Sequence, residues 1–240
     1  MSLTELVREA EWRGEELLPE LLKIVHGYDW SSKPQMQSWM VNDLYVRRLG
    51  GLCKVLGAKR VCEVGTMYGS SAIGLSLGAT RVDSYDIDQH NFACLRVAKD
   101  RNINLLDLKD KDDFLNICYP SYDFIFFDVD DHDGIQERKF HDKLVELGYV
   151  GYVAYDDVLK MRTFWDGIKQ TKLLVNWHGE SGFGLVDYNS LHLTKEQKED
   201  VENSLPSKKD AEAVLGVEIV EAVKGPHPIS EVLNRVQNKN

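Results

Sequence analysis

The 240-residue sequence lacks several features that would place it in other classes of protein. No apolar run approaches the ~20 residues that a membrane-spanning helix needs. The N-terminus has no basic stretch followed by an apolar one, so we expect no secretory signal, no membrane partner and a cytoplasmic location. A basic surplus is also absent. The net charge of −10 and the pI near 5.2 argue against nucleic acid as a partner.

Cysteine is scarce and shows no metal-binding or disulfide pattern. The four cysteines are Cys53, Cys62, Cys94 and Cys118, and none forms a CxxC pair. Two of them lie within apolar runs, which predicts reduced, buried thiols rather than disulfides or zinc ligands. With 43% hydrophobic residues, the chain can bury one substantial core.

The segment 61–74 carries the strongest local signal. A strand-like run containing Glu63 leads into a turn with Gly65 and Gly69, and small residues from Ser71 onward begin a helix. A strand, a glycine turn and a helix N-terminus form a nucleotide-binding site in parallel α/β sheets. The turn lacks the third glycine of a dinucleotide motif and the Gly-Lys-Ser/Thr of a phosphate loop. Because Glu63 would repel a phosphate, the segment favours a cationic, hydroxyl-rich cofactor such as S-adenosylmethionine (SAM).

Strand and helix patterns alternate from residue 60 onward, which predicts an α/β fold with a parallel sheet. The last two strands are joined by a connector too short for a crossover, so we expect them to form an antiparallel hairpin. The predicted strands are 60–64, 81–86, 103–107, 122–128, 150–155, 172–177 and 183–188, and the predicted helices of this region are 70–78, 89–100, 110–117, 135–147 and 160–170.

Three regions follow from this pattern: a helical N-terminal region at 1–56, a cofactor-binding core at 57–189 and a polar tail at 190–240. In the first region we expect two helical pieces separated near Gly14 and Pro19, then one helix over 35–56 that bends at its glycine pair. The tail is consistent with a lid, an oligomer contact or a loosely ordered appendix.

An acid also closes the second strand. Asp86 lies about 20 residues beyond the glycine turn, where a carboxylate accepts the ribose hydroxyls of an adenosine. This geometry serves nicotinamide cofactors as well as SAM. A helix-capping role is the alternative, although Asp88 is better placed for it.

Carboxylates follow the fourth and fifth strands as well. Asp128 ends one strand and the pair Asp156-Asp157 ends the next, so the three acids should meet in the ligand crevice. At an effective dielectric of ~20, each close pair of like charges costs about 4 kcal/mol. A divalent cation with oxygen ligands, such as Mg²⁺, offsets this repulsion. In the alternative without a metal, the acids only cap a helix or orient a ligand.

These motifs resemble those of class I SAM-dependent methyltransferases, over residues 35–189. The acid spacing is similar to that of metal-dependent O-methyltransferases related to catechol O-methyltransferase, and to sugar O-methyltransferases of antibiotic pathways, where the metal is held by an Asp-Asp pair and a preceding Asp. The resemblance implies a Rossmann-like fold with a seven-stranded, mostly parallel sheet and a helical N-terminal extension. It places the general base at Asp130. The acidic loop leaves Asp131 or His132 as alternatives, since a histidine accepts protons near neutral pH.

The resulting hypothesis is a metal-dependent O-methyltransferase that acts on a vicinal hydroxyl of a small molecule, sugar-like or catechol-like. Glu63 and Asp86 would hold SAM, and Gly65, Gly69 and Ser71 would allow its close approach. His178, in the hairpin connector, faces either substrate or solvent. Self-association is consistent with the resemblance. The alternatives are a metal-independent N- or O-methyltransferase, a nicotinamide-dependent oxidoreductase and a non-catalytic SAM-binding module.

Overall fold

The computed structural model describes residues 1–89, 92–93, 95–129 and 131–189. The tail predicted at 190–240 therefore lies outside the described residues. Among the helices of the described part, none is both long and apolar enough to span a membrane.

Seven helices and seven strands make up the described part of the chain. The helices are α1 (Leu3–Gly27), α2 (Gln35–Asn42), α3 (Leu44–Leu56), α4 (Ser70–Ser76), α5 (Leu95–Asp100), α6 (Ile135–Glu146) and α7 (Arg162–Gly167). The strands are β1 (Arg60–Val64), β2 (Arg81–Asp86), β3 (Ile103–Asp107), β4 (Phe124–Phe127), β5 (Tyr152–Tyr155), β6 (Thr171–Val175) and β7 (Phe183–Asp187).

The strands form one sheet in the order β3-β2-β1-β4-β5-β7-β6. The pairs among β1 to β5 are parallel, whereas β7 is antiparallel to both β5 and β6. The chain therefore has the Rossmann-like methyltransferase fold predicted from its sequence, with the antiparallel hairpin at its C-terminal strands. Since β7 runs against both neighbours, β6 points the same way as β5, and its carboxyl end lies at the same edge of the sheet.

The core lies on both faces of this sheet. Each residue of β4 is buried, and successive side chains point to opposite faces. Phe124 and Phe126 join the apolar cluster that contains the buried residues of α1, α3 and α4. Ile125 and Phe127 join the cluster beneath α6 and α7. Burial on both faces explains why β4 is a continuous apolar run rather than an alternating one.

The N-terminal helix is continuous, so the predicted break near Gly14 and Pro19 is wrong. Ser2 and Glu5 form a complete capping box that begins α1, and Pro19 lies inside the helix. Buried residues on both sides of Pro19, Leu17 and Leu21, hold α1 in the core. This packing outweighs the backbone hydrogen bond that proline cannot donate.

The predicted helix over 35–56 is two helices, and the break is not at the glycine pair. It lies at Asp43, whose ψ of 103° is extended. Gly51 sits inside α3, where a Cβ would overlap the carbonyl oxygen of Ala10 in α1. The glycine therefore serves the close packing of α1 on α3, not a bend.

The predicted helix over 110–117 is also wrong, since this segment forms only a short 3₁₀ helix at Asp113–Asn116. Aspartate side chains take the backbone donors there: Asp113 accepts from the N–H of Lys109 at 3.0 Å, and Asp110 accepts from that of Asp112 at 2.9 Å. Such local bonds compete with an α-helix.

Cys53 and Cys62 are buried free thiols, as predicted, whereas Cys118 is a free thiol at the surface. Cys94 lies outside the described residues.

Candidate active site

A cavity of about 580 Å³ opens at the carboxyl edge of the sheet. This is the size of a small-molecule site. It is bounded by the turn after β1, the ends of β2, β4 and β5, the break between α2 and α3, and the β6–β7 connector. The residues that line the cavity include Gly65, Ser71, Asp86, Asp128, His132, Asp156, Asp157 and His178.

Asp86 fixes the conformation of the turn after β1. One oxygen of this carboxylate accepts hydrogen bonds from the N–H groups of Thr66 and Met67, each at 2.7 Å. Gly65 has a φ of 96°, and a Cβ there would overlap the carbonyl oxygen of Asp128. Only glycine fits, which brings the β1 turn against the end of β4 and forms the floor of the cavity.

Glu63 lies behind this floor and is fully buried. It accepts a hydrogen bond from the Ser84 hydroxyl, and its carboxyl also lies beside the hydroxyl of Ser71. Burial raises the pKa of Glu63 to about 8, although the two serine hydroxyls lower it. The structure thus places Glu63 beneath the cavity, while Ser71 on the first turn of α4 lines it. Gly69 is the N-cap of α4.

At the other side of the cavity, Asp157 contacts two basic side chains. Its Oδ2 lies 2.8 Å from His132 Nε2 and 2.7 Å from Lys160 Nζ. Burial alone would raise the pKa of Asp157, but hydrogen bonds from His132, Lys160 and Ser181 outweigh it and hold the pKa well below its usual value. The φ of Asp157 is 55°, in the left-handed region, where aspartate is enriched among non-glycine residues.

Asp156 contacts a different partner. Both of its oxygens lie 2.8 Å from Nδ1 of His178, and its Oδ1 also accepts from the N–H of Asp157. The hydrogen bond with Asp156 raises the pKa of His178 against the opposing effect of burial. Tyr45 packs on the His178 ring with 4.8 Å between centroids. Asp156, Asp157 and His178 offer ligand atoms within 4.8 Å of one another, a set that can hold a metal ion.

Two other predicted residues, Asp128 and His132, line the cavity, and a third, Asp130, is not described by the structure. Asp128 lines the same cavity, although it is not part of the set formed by Asp156, Asp157 and His178. His132 also lines the cavity, and its Nδ1 is buried without a hydrogen-bond partner. Asp130, the predicted general base, lies outside the described residues.

Lys160 was not among the predicted site residues, and His178 was expected to face either substrate or solvent. His178 follows the end of β6 by three residues, and Lys160 follows Asp157 by three. A signal for His178 was present: an antiparallel β7 makes β6 parallel to β5, which brings both carboxyl ends to one edge. The contact of Lys160 depends on the turn after β5, which sequence patterns do not specify.

Solved structures with this fold include two methyltransferases that cover most of the chain. An O-methyltransferase from Bacillus cereus, solved in complex with SAH, is 20% identical over 72% of this chain and 90% of its own, with a TM-score of 0.50. The SAH-bound methyltransferase PaMTH1 from Podospora anserina is 14% identical over 71% of this chain and 86% of its own, with a TM-score of 0.52. Among curated protein sequences, none matches significantly.

The sequence itself matches a family model. The model is described as O-methyltransferase, and it covers residues 14–172, which include α3, the glycine turn and all three acids that follow β4 and β5. The cavity lies almost entirely within this range, and the predicted resemblance to SAM-dependent O-methyltransferases is confirmed at this level. The chain belongs to the O-methyltransferase family.

Proposed function

We propose that this protein transfers the methyl group of SAM to a hydroxyl oxygen of a small acceptor, with the help of a divalent cation. One observation carries the proposal. A single cavity contains the glycine turn with Asp86 on one side and the group of Asp156, Asp157 and His132 on the other. The first side has the donors and acceptors of a nucleoside site, and the second has groups that can hold and deprotonate a hydroxyl.

SAM, when bound, would supply a methyl carbon on a sulfonium, from which the neutral thioether leaves when an acceptor oxygen attacks that carbon in line. The chain's part is to hold and orient it. Asp86 Oδ2 is engaged by the turn, while Oδ1 accepts only the N–H of Asp88, at 3.1 Å, among the hydrogen bonds of the described residues. Each carboxylate oxygen has two lone pairs, so Oδ1 retains capacity for a ribose hydroxyl. Ile87 and Leu108 line the cavity next to it and offer apolar surface to a base.

Glu63 supports this side indirectly. It lies beneath the turn and beside the Ser71 hydroxyl, so it orients the first turn of α4 rather than reaching into the cavity. Ser71 and the N–H groups at the start of α4 then face the cofactor. Gly65 and Gly69 shape the turn for close approach.

The residues on the second side fit a divalent cation. The Oδ1 atom of Asp157 is buried and has no hydrogen-bond partner, and a buried carboxylate oxygen in that state is unfavourable. Asp156 and Asp157 would hold the ion, and Asp128 lines the same cavity. Carboxylate oxygens suit hard divalent ions such as Mg²⁺. Such an ion lowers the pKa of a coordinated hydroxyl and fixes its oxygen.

We infer that His132 receives the acceptor's proton. Asp157 binds its Nε2, and its Nδ1 is buried and has no hydrogen-bond partner. A carboxylate that fixes one nitrogen of an imidazole and leaves the other available is the arrangement of a general base. Asp130, two residues earlier in the chain, is the second candidate for this role.

The acceptor would bind beside the break between α2 and α3. Trp39 and Tyr68 line the cavity there and stack with 5.7 Å between ring centroids, and Tyr45 lies nearby. Flat aromatic surfaces next to a site for two hydroxyl oxygens suit a sugar-like or catechol-like diol.

A metal-independent O-methyltransferase is the second candidate, and Lys160 favours it. The Lys160 ammonium lies 2.7 Å from Asp157 and offsets part of the acidic charge without an added ion. Asp157 would then only orient His132.

Titration calorimetry with S-adenosylhomocysteine (SAH), in Mg²⁺ and in EDTA, tests the cofactor, and a methyl-transfer assay on diols and catechols under the same conditions tests the reaction. We expect SAH to bind in both buffers and turnover to require the metal. Turnover in EDTA would select the metal-independent candidate. Absence of SAH binding in both buffers would refute the proposed function.

A further inference from the structure

Two strands on either side of β7, namely β5 and β6, bring a histidine next to the acid pair. Asp156 and Asp157 follow β5, and His178 follows β6 at the same edge of the sheet. His178 Nδ1 lies 2.8 Å from both oxygens of Asp156, so a nitrogen that can ligate a metal lies beside the acid pair. Asp156 and Asp157 are 2% and 4% exposed, so water reaches these carboxylates little.

The Oδ1 atom of Asp157 is a second observation that indicates a bound cation. His132 and Lys160 both bind Oδ2, whereas Oδ1 is buried and makes no hydrogen bond, although the Ser181 hydroxyl lies near the carboxylate. Leaving a charged oxygen in this state costs stability. A cation between Asp157 Oδ1, Asp156 and His178 would satisfy it.

We propose that His178 is a direct nitrogen ligand of the cation, beside Asp156 and Asp157, and that the site prefers a first-row transition ion such as Mn²⁺ over Mg²⁺. This inference rests on the proposed function, whose metal it specifies. Imidazole suits transition ions, whereas Mg²⁺ selects oxygen ligands and retained waters. Mn²⁺ takes carboxylate oxygens as Mg²⁺ does, and it also belongs to the first-row series of ions that bind mixed nitrogen and oxygen sites.

The surroundings of His178 support a fixed ligand. Tyr45 packs against its ring, and the side chain of His178 is only 35% exposed although it lies in a loop. A ligand that is held in place before the ion binds loses little conformational freedom on binding.

Electron spin-echo spectroscopy of the full chain loaded with Mn²⁺ tests the ligand directly. A coordinated imidazole gives a ¹⁴N modulation, which changes to the ¹⁵N pattern when only the histidines are labelled. We expect this signal in the wild type, its loss in His178→Gln and its retention in His132→Gln. His132→Gln is the matched control because this histidine touches the same acid pair from the other side. Circular dichroism confirms that both variants are folded.

Calorimetry on the same samples measures the preference. We expect Mn²⁺ to bind the wild type more tightly than Mg²⁺, and His178→Gln to weaken Mn²⁺ binding at least ~10-fold with a smaller effect on Mg²⁺. Bound Mn²⁺ without the ¹⁴N signal, or a signal that disappears in His132→Gln instead, would overturn the proposal.

SAH binding, measured in parallel, separates this proposal from the proposed function. If Mn²⁺ fails to bind while SAH binds, His178 ligation is refuted and methyl transfer stands. If SAH fails to bind while the nitrogen signal is present, the metal site is supported and the proposed function is refuted.

Discussion

Asp156 and Asp86 line the same cavity but contact different groups. Asp156 is paired with His178 on the acceptor side, whereas Asp86 binds the glycine turn. We expect Asp156→Ala to lower kcat at least ~100-fold while the dissociation constant for SAH stays within about threefold, because the lost carboxylate acts on the acceptor and the metal. Steady-state kinetics and calorimetry measure the two effects.

Asp86→Ala should instead impair cofactor binding. It removes the acceptor of the Thr66 and Met67 N–H groups together with the expected ribose ligand, so SAH binding should weaken strongly. Equal losses of SAH affinity in both variants would contradict the assignment of the two sides. A melting curve for each variant excludes unfolding as the cause.

Glu63 should make the stability of the protein depend on pH. Its pKa in the folded chain is about 8, against 4.5 for an unperturbed carboxyl. Between these values the unfolded chain releases the proton and the folded chain keeps it, so the free energy of unfolding falls as pH rises from 4.5 to 8. Glu63→Gln should abolish this decline, which we expect to be on the order of 2–4 kcal/mol. Urea unfolding at pH 5, 6, 7 and 8, without ligand, measures it.

Glu146→Gln is the matched control, because Glu146 is exposed on α6. Its unfolding free energy should follow the wild-type pH dependence. A Glu63→Gln variant that also follows the wild type would mean that Glu63 is ionised when buried.

Single residues were predictable from sequence where a strand end fixed their position. Asp128, Asp156 and Asp157 end parallel strands, and the structure places all three at one cavity. His178 follows a strand too, but its pairing with Asp156 depends on the sheet order, in which β7 lies between β5 and β6. Glu63 was expected to touch the cofactor, and only the fold shows that its strand position is buried beneath the turn.

Among the elements, α1 and α3 depend on small residues for their contact. We expect Gly51→Ala to destabilise the protein by about 1–3 kcal/mol, because the added methyl group overlaps the Ala10 carbonyl and overpacks the interface. Thermal unfolding measures the loss. The intrinsic helix preference of alanine alone would predict a gain of about 1 kcal/mol.

Gly27→Ala separates these two effects. Gly27 is the last residue of α1, and a Cβ there would meet nothing within 4 Å. Its melting temperature should stay close to that of the wild type. A stabilised Gly51→Ala would refute the close packing of α1 on α3.

Elements were predicted well where burial sets the pattern and poorly where local bonds decide. The strands β4 and β5 appear at the expected places because central parallel strands are buried on both faces and are therefore apolar runs. Tertiary packing keeps α1 continuous through Pro19, which no local signal indicates. In the segment after Lys109, aspartate side chains bind backbone donors, so helical spacing misled the prediction.

At the scale of the whole molecule, acidic charge dominates both the surface and the cavity. The chain has a net charge of −10. Among the described residues that line the cavity, one is a lysine, Lys111, and six are acids: Asp43, Asp86, Asp128, Asp131, Asp156 and Asp157. Clefts lined by one sign of charge concentrate ligands of the opposite sign. The cationic cofactor fits this field, and an anionic acceptor does not.

This field leads to a prediction about acceptors. At low salt, a neutral catechol should have a kcat/KM at least ~10-fold above that of a catechol carrying a carboxylate, because the anion must enter an acidic cavity. Raising the ionic strength to ~0.5 M should shrink the difference, since salt screens the part of the repulsion that comes from exposed charges. Methyl-transfer rates for the two acceptors across this salt range, at saturating SAM, measure both effects.

Asp43→Asn, which removes one negative charge at the helix break, should reduce the discrimination between the two acceptors further. Faster turnover of the carboxylated acceptor at low salt would show that a cationic group, such as Lys111 or the bound metal, controls acceptor binding instead of the acids.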